Sequence, residues 1–308
     1  MKLPDPRAIL TLFKPITWFP PMWAFACGSI TGSETILENL PIFFLGLLLT
    51  GPLVCATSQA VNDWYDRHVD AINEPQRPIP SGRIPGRWGL YIALIWSLIS
   101  LWVGSFLGPI GFAATLLALV LAWLYSMPPV RFKNNGWLGN LACGVSYEGL
   151  AWVTGATLLS GGALPSKPSL LLAGLYSASA HGIMTLNDFK AIEGDRQMGV
   201  RSLPVQLGAL KAAQVSALMM LIPQLIVLGL LLLWGKPIYA LIIAGLIIGQ
   251  ILLLRNFLTK VTKLTLTNIM EFCHGKKNSA HYRLRRVSRF SSSQITKTSW
   301  LECRRCWS

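Results

Sequence analysis

From Ala217 to Trp234 the chain runs eighteen residues without a charge, and similar apolar runs recur through its first 257 residues. They are centred near residues 22, 50, 98, 117, 148, 176, 221 and 246. A bilayer's hydrocarbon core is about 30 Å thick and takes about 20 residues of helix to cross, a length most of these runs reach. Period-two alternation, the mark of a membrane β-barrel, is absent. Composition agrees: 52% hydrophobic, 13% charged and a mean hydropathy of +0.48, outside the range of soluble domains. The expected fold is an all-α polytopic membrane protein, with eight transmembrane helices in a bundle.

Two of the runs end in the same acidic pattern. Residues 62–70 read NDWYDRHVD and residues 187–195 read NDFKAIEGD. Each opens with Asn-Asp and closes with an Asp seven positions after the first. Carboxylates beside a membrane span are costly to place and are usually functional. On a helix, Asp63, Asp66 and Asp70 fall at i, i+3 and i+7, which puts three carboxylates on one face. Mg²⁺ takes hard oxygen ligands, commonly one or two carboxylates with phosphate oxygens and waters. The plainer reading of such a face is a solvated helix end with an Asp63–Arg67 ion pair at i, i+4. In the second pattern Asp188 and Asp195 repeat the i, i+7 relation but Ala191 stands at i+3, so two aligned carboxylates are expected. The patterns lie 125 residues apart, which fits a duplicated four-helix unit.

Basic residues set the expected orientation. With the N-terminus inside, 25 of the 27 Lys and Arg fall on the cytoplasmic side, leaving Lys167 and Lys236 opposite. Both acidic patterns then face the cytoplasm. Pro15, Pro20 and Pro21 interrupt the first run and no cleavage pattern follows, so direct insertion into a bacterial-type membrane is expected. Cys27, Cys55 and Cys143 lie in apolar runs, where Cys behaves as a small hydrophobe. An ion-coupled transporter would also use intramembrane acids and repeats. Its site, however, would lie near the midplane, whereas these acids gather at the ends of runs.

Cations accompany the acids. Arg77 follows the first pattern in NEPQRPIPSG, Arg201 follows the second, and Lys190 lies within it. Arg131 and Lys133 sit in the loop after the fourth run. Such donors suit the charge of a diphosphate leaving group; serving as positive-inside anchors is the alternative. Glu148, inside the fifth run, needs a partner, as any intramembrane acid does.

NDWYDRHVDAINEPQRPIPSG and NDFKAIEGDRQMGVRSLPVQLG resemble the two motifs of the UbiA superfamily of intramembrane prenyltransferases. Within it, KPITWFPPMWAFACG (14–28), YSMPPVRFKNNGWLGN (125–140) and SYEGLAWVTGA (146–156) are similar to segments of chlorophyll and bacteriochlorophyll synthases, SYEGLAW leaning towards the latter. The resemblance implies Mg²⁺-dependent transfer of a geranylgeranyl or phytyl group from its diphosphate to the propionate carboxylate of (bacterio)chlorophyllide. It implies a bacterial inner or intracytoplasmic photosynthetic membrane. By the same resemblance Asp63, Asp66, Asp70, Asp188 and Asp195 carry metal, and Asn62 and Asn187 orient it. Arg77, Lys133, Lys190 and Arg201 would hold diphosphate, with Tyr125 near the reacting carbon. The expected partners are the two substrates and membrane lipid, with no nucleic acid. A related prenyltransferase with an aromatic or haem acceptor would share both acidic motifs.

The resemblance implies a ninth span, yet the sequence turns polar after about Leu258. The expected organisation is a membrane-embedded domain over 1–257 and a basic, disordered tail over 258–308. A reading-frame shift near codon 258 is the expected origin of this break. Translation of the downstream DNA in the other two frames is then expected to reveal an apolar span, and its absence from both frames would contradict the shift.

Overall fold

The structure, a computed structural model, describes residues 3–32 and 35–273. Among them there is no strand, only an isolated bridge between Asn135 and Arg201. The described chain forms two compact units. One comprises residues up to Phe132 together with Leu141–Ala178; the other comprises Lys133–Asn140 and residues from Ser179 onwards.

The first unit begins with α1 (Pro6–Phe13). Asp5 caps it by accepting from the Arg7 amide at 3.0 Å, and Pro6 stands in the first turn, where a missing N–H costs nothing. Its Ala8, Leu12 and Phe13 pack against Ala56, Ala60 and Val61 of α4 (Ala56–Asn73). Pro15 then disfavours continuation of the helix at Lys14, which turns into a left-handed conformation with φ 46°. Between these lie α2 (Phe19–Ile30) and α3 (Leu40–Leu48). α3 passes into α4 through a π-helical stretch, Leu49–Cys55, around Pro52. Proline lacks the N–H that an α-helical ladder needs there, and the Trp96 indole donates to the Pro52 carbonyl at 3.1 Å.

α5 (Trp88–Gly104) and α6 (Gly108–Ser126) form a hairpin turned at Gly108, φ 76°. Further along, α7 (Gly136–Gly144) leads through a second π-helical stretch, Val145–Leu150, into α8 (Ala151–Leu158). α2 and α8 meet backbone to backbone. A Cβ added at Gly28 would strike the Trp152 carbonyl, and one at Gly155 the Phe25 carbonyl. Small residues permit such close helix packing in membranes, where lipid offers no hydrophobic drive to associate.

α9 (Lys167–Asp188) ends in the second unit, which continues with α10 (Ile192–Gln197), α11 (Leu203–Leu207), α12 (Ala209–Leu233) and α13 (Pro237–Cys273). Its core gathers Phe189, Ile192, Leu203, Ala212, Ala213 and Val261. The expected domain boundary at 257 falls inside α13, and Val261 beyond it is buried. The expected tail lies outside the described residues from 274 onwards.

Among the described residues, five stretches are long and apolar enough to cross a membrane by length and composition: Ile36–Ile72, Trp88–Ser126, Lys167–Asp188, Ala209–Leu233 and Pro237–Thr265. The runs near 98 and 117 both lie within Trp88–Ser126, and the proline-interrupted run near 22 yields the 12-residue α2. The count of eight therefore rests on the apolar runs alone.

Substituting Val for Gly155 is expected to destabilise the first unit by about 1–3 kcal/mol through overpacking. A thermal melt of the detergent-solubilised protein measures this, and an unchanged midpoint would contradict the α2–α8 contact.

Candidate active site

The first acidic pattern is helical, as its spacing requires. Asp63, Asp66 and Asp70 project from α4, and each is met by a cation. Asp63 is 1% exposed; its Oδ1 accepts from Lys14 Nζ at 2.7 Å and from Arg77 at 3.3 Å. Arg77 also donates to Asp70 at 2.9 Å and pairs with Glu74. Arg131 donates to Asp66 at 2.9 Å. Burial acts to lower the Arg77 pKa, but Asp63, Glu74 and Asp70 outweigh it and hold the guanidinium above its ordinary value. The loop carrying Arg77 is pinned by buried Ile84, whose amide bonds to the Pro78 carbonyl at 3.0 Å. The alternative Asp63–Arg67 pair does not form: Arg67 donates to the Trp64 carbonyl at 2.6 Å and stacks over the Trp64 ring.

Two of these cations went unmarked or under-weighted in the sequence. Lys14 stands 49 residues before Asp63 and Arg131 65 residues after Asp66. Both have left-handed backbones, φ 46° and 39°, and they are the only non-glycine positive-φ residues among those described. That conformation is uncommon and unfavourable outside glycine. Each lies close to a proline at a helix end: Pro15 follows Lys14 and disfavours continuation of α1, and Pro128 and Pro129 follow α6 shortly before Arg131. The available sequence signal was therefore a cation beside a helix-ending proline.

The second pattern is not one helix, which corrects the expected i, i+7 face. α9 ends at Asp188 and α10 begins at Ile192. Tight turns intervene, with the Ala191 amide on the Asp188 carbonyl at 3.0 Å. Phe189, the first residue after α9, is buried in the core of its unit at 1% exposure, so packing of that ring holds the turn. Asp188 accepts from Asn140 Nδ2 at 3.1 Å, and the same amide donates to Thr185 at 3.2 Å. Asp195 is half-buried on α10. Burial raises its carboxyl above the usual range, and the nearby Ser202 hydroxyl offsets part of that.

The remaining expected site residues lie each within its own unit. Asn62 donates to Ser126 at 3.1 Å. Asn187 and Lys190 are exposed at the end of α9 and the turn after it. Arg201 is exposed, and its backbone links to Asn134 and Gly136 at 3.0 and 2.8 Å. Lys133 and Tyr125 are half-buried, Lys133 in a short turn and Tyr125 one residue before the end of α6.

Among the described residues, no three Asp, Glu, His or Cys side chains converge to hold one metal ion. The donor chemistry still fits Mg²⁺. Asp63 Oδ2 is buried with no hydrogen-bond partner, and a lone hard oxygen of this kind is what Mg²⁺ accepts.

Residues 16–272 match the UbiA prenyltransferase family. The Bacteriochlorophyll synthase 33 kDa chain of Cereibacter sphaeroides is 56% identical over 256 residues, covering 83% of this chain and 84% of that protein. That of Rhodobacter capsulatus is 54% identical over 250 residues, covering 80% and 82%. Chlorophyll synthase of Arabidopsis thaliana is 41% identical over 255 residues, covering 79% and 64%. Among solved structures, a UbiA homolog from Archaeoglobus fulgidus bound to GPP and Mg²⁺ shares the fold, with a TM-score of 0.64 at 20% identity over 92% of this chain and 96% of that one.

Replacing Lys14 with Met removes one charge-assisted bond from buried Asp63 and is expected to cost about 2 kcal/mol. In an Asp63→Asn background the same replacement should cost much less. Equal melting shifts in both backgrounds would contradict the pairing.

Proposed function

The chain belongs to the UbiA prenyltransferase family, and from that premise we propose that it esterifies a (bacterio)chlorophyllide with a geranylgeranyl or phytyl group. The observation that carries this reading is the 56% identity over 256 residues to a protein named bacteriochlorophyll synthase. The donor is the prenyl diphosphate and the acceptor the propionate of the macrocycle. Membrane character and the helical fold support a lipid-embedded reaction. The positive-inside bias supports a cytoplasmic N-terminus, with both acidic patterns on that side.

Asp63, Asp66, Asp70, Asp188 and Asp195 are the residues that would hold Mg²⁺, with Asn62 and Asn187 beside them. When bound, the ion draws negative charge from the diphosphate and eases departure of that leaving group. Arg77, Lys133, Lys190 and Arg201 bind diphosphate oxygens as fixed positive charge. Lys14 and Arg131 hold Asp63 and Asp66 in place. The acceptor carboxylate is already an anion at neutral pH, so no residue needs to serve as general base. Tyr125 lies by the reacting carbon, and apolar side chains exclude water that would otherwise trap an electrophilic allyl group.

Asp63→Asn and Asp188→Asn are each expected to lower turnover about a hundredfold or more, with the protein still recovered in the membrane fraction. Chelation by EDTA should have the same effect on the unaltered chain. Rates near those of the unaltered chain in either variant would contradict the metal assignment.

A further inference from the structure

Glu148 lies far from either acidic pattern in sequence and belongs to neither. It stands in the π-helical stretch Val145–Leu150, within the first unit, and is 7% exposed. π-helical turns lose the regular backbone ladder and recur at functional positions. This one is held by its neighbours. The Tyr147 hydroxyl bonds to Ser58 at 2.6 Å and accepts from Gln59 at 3.2 Å, both on α4. Gly149 packs so closely on α9 that an added Cβ would lie 2.5 Å from the Ser177 hydroxyl. The rotation that aims Glu148 is therefore locked from both sides.

The carboxyl itself is incompletely satisfied. Tyr176 of α9 stands beside it, while Oε2 is buried and has no hydrogen-bond partner. No Lys, Arg or His forms an ion pair with it among the described residues. A charged carboxylate there needs a cation, and a protonated one needs an acceptor for its O–H. In either state Oε2 awaits a partner that this unit does not supply, and intramembrane acids are retained where such a partner binds.

Aromatic side chains gather around Tyr176. The Tyr176 and Trp152 rings meet edge to face at 6.0 Å, and Phe25, Phe43 and Tyr176 belong to one cluster. Aromatic faces suit a planar macrocycle. The acceptor named above carries a divalent cation at its centre with axial positions open, and that cation prefers hard oxygen. We propose that Glu148 binds the acceptor by placing Oε2 on the Mg²⁺ of the macrocycle, with Tyr176 holding the other carboxyl oxygen. This rests on the (bacterio)chlorophyllide reading. It makes Glu148 the residue that distinguishes a metallated macrocycle from its metal-free form.

The test uses the full-length chain in detergent, titrated with Mg-bacteriochlorophyllide and with the metal-free macrocycle, and followed by visible absorption, which shifts when the metal gains an axial ligand. The unaltered chain should bind the Mg form about tenfold more tightly than the metal-free form and show the shift. In Glu148→Leu, which removes the ligating oxygen, the preference should fall towards one and the shift disappear, while binding of geranylgeranyl diphosphate with Mg²⁺ is retained as evidence of folding. An unchanged preference and shift in the variant would overturn the assignment. So would equal weakening of both macrocycles, which would mark Glu148 as a packing or hydrogen-bonding residue. Failure of the unaltered chain to bind either macrocycle would instead bring down the acceptor reading itself, and the proposal with it.

Discussion

A carboxylate at the end of an apolar helix loses its hydration, and the loss must be offset locally by positive charge. Asp63 states that constraint most plainly. Its side chain is 1% exposed, and two cations, Lys14 and Arg77, converge on one of its oxygens. Leaving such a charge unpaired costs about 3–5 kcal/mol, a large part of any domain's stability. Much of the first unit can be read as the means of delivering those cations.

The delivery is built from ordinary pieces. α1 is short and amphipathic, and it lies on the alanine face of α4, which admits it closely. Proline ends α1 at the residue whose ammonium reaches Asp63, and prolines end α6 just before the residue whose guanidinium reaches Asp66. Both cations take left-handed backbones. Arg77 arrives on a loop pinned by Ile84, and it spans Asp63 and Asp70 at once. Only Asp63 Oδ2 is left bare among the buried carboxylate oxygens of this pattern. The cluster is thus held in place by cations yet keeps one buried oxygen without a hydrogen-bond partner.

What the sequence made legible was whatever depended on local period. Uninterrupted apolar runs announced helices, and the i, i+3, i+7 spacing of Asp63, Asp66 and Asp70 did place them along α4. Two features were hidden because they depend on packing. Lys14 and Arg131 reach the acids across 49 and 65 residues of chain, and no short window reveals such pairs. The second pattern looked like a copy of the first, but Phe189 buries its ring in the core of its own unit. With that turn packed, Asp188 and Asp195 fall in different helices. Residues whose roles came from resemblance, such as Tyr125 and Lys133, keep those roles as proposals.

Prenyl transfer to a chlorin carboxylate is tested most directly by esterification in membranes containing this chain. Geranylgeranyl diphosphate and Mg²⁺ would be supplied with bacteriochlorophyllide or chlorophyllide, and the products separated by chromatography. A prenyl ester that forms with one of these pigments and is lost on chelation is the predicted result. Absence of ester with both pigments, from a chain shown to be folded, would contradict it.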